Sequence, residues 1–231
     1  MSRTGDAPLS SVHVDYEYGK LEEVIVGVPY GMNPSLEAPW LEDALRVLTP
    51  EEAEYARSTA GMVWKEMVDP RTGRTETEML ESENAEFIGV LEDLGVKVYR
   101  PFEITPGFIE ENYGGEILVN GYSQTFPRDN MAVIGNNVIE FNLRTPIRKT
   151  DISGFRDILR EKCDRTVRWF SMPHTEPLSS GGDDRTPRLE GGDVMVFGRT
   201  ILVGNTMNPS VGSNAAGAEW LAKTLNGKGN I

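Results

Sequence analysis

An α/β fold is predicted by three features of this 231-residue chain. A β-branched run opens it, a long amphipathic helical pattern and a short alternating run follow, and in the second half apolar runs pair across Gly-containing breaks. Residues 1–11 are small, polar and turn-forming, and read as a disordered tail ahead of a single domain over 12–231. Residues 21–28 carry Val24, Ile25 and Val26 in succession and read as a buried strand. Between 29 and 77, Pro29, Pro34, Pro39, Pro50 and Pro70 interrupt short amphipathic pieces, among them a helix over 51–65 behind Thr49-Pro50. This segment is predicted to be an irregular insertion that partly covers a site mouth.

From Thr77 the pattern is helical: Leu80, Phe87, Ile88, Leu91 and Leu94 share a face, and Gly95 follows as a stop. Residues 96–101 alternate and end at Pro101, so strand, helix and strand outline a βαβ unit. Two apolar runs around Gly135-Asn136-Asn137 predict a hairpin. Phe155, Ile158, Leu159 and Lys162 mark one face of a helix over 153–163, with a strand over 166–170 and a polar loop over 179–187 behind it. A last hairpin alternates Val194 and Val196 with Met195 and Phe197, breaks at Gly198-Arg199 and returns over 200–203. A helix carrying Leu221 and Leu225 on one face follows from 214.

The net charge of −13 and pI near 4.7 repel nucleic acid and anionic membrane surfaces, and suit a cationic small substrate. A lone cysteine, Cys163, excludes an intrachain disulfide and fits a reducing compartment. The first eight residues hold no apolar leader core and no run reaches membrane-spanning length, so a cytoplasmic protein is predicted. His13 and His174 have no Cys or acid at ligand spacing, which predicts no metal. Gly191-Gly192 lacks the Lys-Ser/Thr or further glycines of a phosphate loop, and no cofactor is expected.

The stretch that carries chemistry is Leu189-Glu190-Gly191-Gly192-Asp193, running into the last hairpin. The Gly pair lets the backbone come close to what lies over it. Glu190 and Asp193 then sit at a strand mouth, and such a mouth can hold a cation. Two solvated acids at a turn would give the same tetrapeptide. The residues resemble the Glu-Gly-Gly-Asp element of the guanidino-group-modifying enzymes: arginine deiminases, dimethylarginine hydrolases, and amidinotransferases of the arginine:glycine and inosamine-phosphate type.

Three further stretches are similar to the amidinotransferases. Residues 12–27 resemble their opening strand, through Asp15, Tyr16 and Leu21-Glu22-Glu23-Val24-Ile25-Val26-Gly27. Pro127-Arg128-Asp129 resembles their Pro-Arg-Asp motif, in which the Asp contacts the substrate guanidinium. The order acid pair, hairpin, Asn214, Gly217 and Glu219-Trp220 also occurs in them. Gly212-Ser213 stands where the deiminases and dimethylarginine hydrolases place Arg-Thr, which favours an amidinotransferase over those hydrolases. The resemblance implies a pentein-type α/β propeller of five ββαβ-like modules, incomplete here at about three, although no self-similarity in the sequence displays the repeats.

Guanidinium is flat and cationic, and paired carboxylates grip it through fork-shaped N–H bonds. By the resemblance, Glu190 is the catalytic acid and Asp129 a substrate-binding residue, while Asp193 binds substrate or orients the turn. The implied activity moves an amidino group from arginine to an amine acceptor through a Cys adduct, with a His moving the proton. Its partners are small molecules, arginine or another guanidino compound and the acceptor; a homo-oligomer stays open. By family spacing the His and Cys fall after Ile231, so a truncated chain, inactive by itself, is expected. Cys163 reads as a structural thiol and His174 as a solvated loop residue. A deiminase-type hydrolase and a non-catalytic guanidino-ligand binder are the alternatives.

Overall fold

The structure is a computed structural model that describes residues 11–175, 177, 183, 185–206 and 212–226. The predicted tail lies outside the described residues except for Ser11, whose hydroxyl donates to Lys162 O at 2.8 Å. Of the predicted loop over 179–187, only 183 and 185–187 are described.

The first part of the chain runs through β1 (Glu23–Ile25), β2 (Gly31–Met32), α1 (Leu41–Leu45), α2 (Pro50–Ser58), a 3-10 turn at Trp64–Glu66, α3 (Glu76–Asp93) and β3 (Lys97–Tyr99). Strands β1 and β3 are parallel, with Glu23 opposite Lys97, and α3 is the crossover between them. The predicted βαβ unit is present. Its first strand is shorter than 21–28, because only three residues pair in register with β3; beyond them Val26 N–H still donates to Tyr99 O at 3.0 Å, and Val28 N–H turns to Gln124 O at 3.1 Å as the chain enters the core.

Helix α3 begins with a capping box in which Glu78 N–H donates to Thr75 Oγ1 at 3.1 Å and Thr75 N–H to Glu78 Oε2 at 2.8 Å. Its predicted apolar face is split: Leu80, Ile88 and Leu91 are half-buried, whereas Phe87 and Leu94 are 54% and 74% exposed. The two-stranded sheet beneath is too narrow to cover the whole stripe. The segment 29–77 holds α1 and α2 around Ala38, Leu41, Leu45 and Ala53. Helix α2 stops short of the predicted 51–65, where Thr59 turns its hydroxyl back to Tyr55 O at 2.9 Å and receives the Asn33 amide at 2.8 Å.

Helices α4 (Pro106–Tyr113) and α5 (Gly115–Leu118) lead to β4 (Tyr122–Ser123), which pairs antiparallel with β2. Next come α6 (Pro127–Asn130), β5 (Met131–Ile134), β6 (Asn137–Glu140), α7 (Arg156–Lys162) and β7 (Arg168–Ser171). Strands β5 and β6 form the predicted hairpin, with Gly135 at φ +55 in its turn, and β7 joins β6 in parallel. The predicted helix over 153–163 begins later, at Arg156, because Asp151–Phe155 is a fully buried 3-10 turn.

A third group follows: β8 (Val194–Phe197) and β9 (Thr200–Val203), antiparallel as predicted, and α8 (Ala215–Asn226). The largest core cluster joins the second group to the third. Ile134, Ile139, Phe141 and Leu143 come from one side, and Leu189, Val194, Val196 and Leu221 from the other. Each such buried side chain stabilises by about 1.5–3 kcal/mol. The lead-in before β1 laces both groups, through a Val14–Gly135 bridge and a Tyr16–Phe197 bridge.

Candidate functional site

Helix α6 is one turn long, with Pro127 at its start where a missing N–H costs nothing. Arg128 reaches from it into the third group. Its Nε donates to Gly191 O at 2.9 Å and its Nη2 to Val194 O at 2.6 Å, and Nη2 also pairs with Glu17 of the lead-in. The backbones meet so closely that a Cβ on Gly191 would stand 1.8 Å from Arg128 O. Only glycine fits there. The contact brings the 3-10 turn Gly191–Asp193 against α6, and a Cβ on Gly192 would lie 3.2 Å from Asp129 Oδ1.

Glu190 directly precedes this turn, at the mouth of β8 as predicted. Its backbone N–H donates to Ser213 Oγ at 2.9 Å, while its half-buried carboxylate has no hydrogen-bond donor within reach among the described residues. Burial pushes the Glu190 carboxyl up from its ordinary value, and the charges of Asp129 and Asp193 add to the effect against Arg148 and Arg144. Glu190 therefore feels both acids that the sequence singled out. Asp193 faces the other way: its Oδ2 accepts the Ser213 N–H at 3.2 Å, and its backbone O accepts the Gly204 N–H at 2.7 Å. It ties the 212–214 segment to the hairpin. Asn214 continues that tie, its Oδ1 accepting from Arg188 N–H at 3.1 Å and from Gly217 N–H in the first turn of α8 at 2.9 Å.

Sequence reasoning missed the cation of this cluster. Arg148, in the 3-10 turn Pro146–Arg148, donates through Nη1 to Asp129 Oδ2 at 3.1 Å, through Nη2 to Phe126 O at 3.0 Å and through Nε to Asp151 Oδ2. Burial works against the Arg148 charge, but Asp151 and Asp129 outweigh it and raise its pKa. Asp151 is wholly buried. Burial pushes its carboxyl up to about 7, opposed by Arg148 and by the Ser123 N–H that donates to Oδ1 at 3.1 Å. The one sequence signal was an opposite-charge pair three residues apart behind Thr145-Pro146.

The remaining candidates lie apart from this chemistry. Cys163 packs on the cluster of Met131, Val138, Ile152, Phe155 and Leu159, and burial pushes its thiol up, away from the thiolate a nucleophile needs. His13 Nε2 is 3.0 Å from Asp15 Oδ1, and His174 is exposed. Among the described residues, no group of three or more His, Cys, Asp or Glu is arranged to hold a metal ion, and no helix is long and apolar enough to cross a membrane.

The arrangement is that of a pentein-type α/β fold. Its neighbours in sequence and in solved structure are, consistently, amidinotransferases. The chain is 26% identical over 229 residues to inosamine-phosphate amidinotransferase 1 of Streptomyces griseus, covering 94% of this chain and 60% of that protein. It is 29% identical over 166 residues to the L-arginine:L-lysine amidinotransferase of Pseudomonas savastanoi pv. phaseolicola, 69% of this chain and 41% of that one. The solved amidinotransferase SxtG, from the saxitoxin biosynthetic pathway of Microseira wollei, superposes with a TM-score of 0.59 at 25% identity, over 94% of this chain and 62% of its own. No family model matches the chain. The chain spans about 60% of the length of the inosamine-phosphate relatives it matches.

Proposed function

We propose that this chain carries the guanidinium-gripping part of an amidinotransferase that takes its amidino group from arginine. Asp129 and Glu190 hold the flat cation between them, Asp193 fixes the turn that carries Glu190, and the guanidinium carbon is left facing the attacking group. The observation that carries the reading is the Glu190 carboxylate: half-buried, without a donor among the described residues, and pushed toward its neutral form by burial and then by the charges of Asp129 and Asp193. A ligand cation with paired N–H donors supplies both the charge and the bonds it lacks.

In the reaction class, a thiolate adds to the guanidinium carbon, ornithine leaves with a proton on its amine, and the amidino-sulfur bond is then broken by the acceptor amine, which releases the thiol. The two carboxylates keep the guanidinium planar and charged before attack and stabilise the positive amidino group afterwards. Neither the thiolate nor the proton carrier is assigned to a described residue, and the raised Cys163 thiol argues against that role.

The test is thermal unfolding with increasing arginine, and with citrulline, which has the same length but a neutral head. Arginine at a hundred times its Kd should stabilise by about 2.7 kcal/mol, citrulline should not, and Asp129→Ala or Glu190→Ala should abolish the effect. Equal responses to both ligands, or an arginine response that survives both substitutions, would refute the assignment.

A further inference from the structure

Every nitrogen of Arg148 is engaged within the protein. Nε goes to Asp151, Nη1 to Asp129 and Nη2 to Phe126 O, with the guanidinium 5.6 Å from the Phe126 ring centre and the side chain only 14% exposed. Its planar fork therefore brackets both ends of α6 at once. Asp151 is in turn fixed on every side: the Ser123 N–H donates to one oxygen, Arg148 to the other, and the Asn130 amide lies against it. The result at the site is an orientation. Asp129 Oδ2 is drawn inward to Arg148, and Oδ1 is turned to Gly192 and the mouth that holds Glu190.

We propose that Asp151 and Arg148 are positioning residues for the guanidinium site: Asp151 clamps Arg148, and Arg148 sets the Asp129 carboxylate so that Oδ1 alone is offered to the ligand. The inference rests on the preceding reading of Asp129 as a guanidinium acceptor. Without the clamp, Arg148 frees Nε and turns both arms onto Asp129. It then becomes an internal guanidinium that competes with arginine for the same oxygens. Binding and stability consequently move in opposite directions on Asp151→Asn, because that change removes a buried acid while it releases the competitor. A residue that only supports the fold would lower both.

The experiment is calorimetric titration of arginine into the wild-type chain and Asp151→Asn between pH 5 and 8.5, with thermal unfolding of each. The charged group facing Asp151 is Arg148, which reaches Asp129 in turn; the Ser123 and Asn130 amides are neutral. Glu190 titrates as well, so the difference between the two profiles reports Asp151. The expected result at pH 8 is arginine binding weakened at least about tenfold in Asp151→Asn, with an unfolding midpoint no lower than wild type, and loss of the wild-type affinity step that tracks Asp151 protonation. Equal affinities, or identical pH profiles, would overturn the proposal.

Should Asp151→Asn fail to fold, Arg148→Lys reads the same point, since one ammonium cannot span Asp151, Asp129 and Phe126 O together; unchanged affinity there also overturns it. A wild-type chain that ignores arginine sinks the preceding reading instead. The clamp is then read from the Arg148 Nε–H resonance, protected from exchange in the wild type and exposed in Asp151→Asn. Protection retained in the variant refutes the clamp.

Discussion

Gly191→Ala tests the contact on which the geometry of the site depends. A methyl at this position would lie 1.8 Å from Arg128 O, 2.9 Å from Arg128 C and 3.0 Å from Met131 O, and all three are backbone atoms that cannot swing aside. Ordinary contact requires the turn and α6 to separate by about 1.5 Å, and overpacking of this kind costs about 1–3 kcal/mol. For a chain of this length that is roughly a 2–12 °C fall in the unfolding midpoint. The separation also moves Glu190 away from Asp129, and displacements near 1 Å in a binding constellation cost on the order of a hundredfold in function.

Gly192→Ala is the matched control. Its nearest neighbour is the side-chain oxygen Asp129 Oδ1 at 3.2 Å, which can rotate. Its stability should stay within about 0.5 kcal/mol of wild type, while the methyl crowds the oxygen proposed to face the ligand and reduces the response to arginine. Thermal unfolding of both variants, with and without arginine, separates the cases. A Gly191→Ala chain with wild-type midpoint and wild-type arginine response would show that the close approach does not set the site.

Three other outcomes are expected. Because burial and two acids hold the Glu190 pKa above its ordinary value, and a bound cation lowers it, arginine affinity should climb as pH rises through that raised range; calorimetry on Glu190→Gln should show this rise removed. Asp151 keeps its proton up to about 7 in the folded chain but loses it near 3.8 when unfolded, so between those values the native state binds more protons and stability falls as pH rises. Urea unfolding at pH 4.5 and 7.5 should show that fall to be smaller in Asp151→Asn, and an equal fall in both would contradict it. Thr75→Ala removes one half of the α3 capping box and should cost about 1 kcal/mol in urea unfolding, whereas an unchanged midpoint would mean that tertiary packing alone fixes the start of α3.

The parts of this fold that could be read from the sequence are those specified by neighbours along the chain. The β5–β6 turn at Gly135, the β8–β9 pair around Gly198-Arg199 and the body of α3 all follow from periodicity and turn chemistry within a dozen residues. Strand length was less legible, because β1 ends where its partner β3 ends at Tyr99, a fact written some 70 residues away. The site divides in the same way. Glu190 at a strand mouth is a local statement, whereas Asp129 entered through a resemblance to a motif. Arg148 and Asp151 stayed invisible, because their meaning comes from Ser123, Phe126 and Asp129, which no sequence window joins to them by pattern.

The lacing of residues 14–17 governs when the site can exist. Glu17 meets Arg128, 111 positions later, and accepts the Val196 N–H across 179 positions. As the polypeptide leaves the ribosome, residues 14–17 wait until Arg128 and Val196 have emerged before the groups that anchor them are present. Closures over such distances form slowly. The proposed grip on a guanidinium accordingly matures later than the local helices, and an amino-terminal tag that hinders the lead-in should delay acquisition of ligand response more than acquisition of helix content.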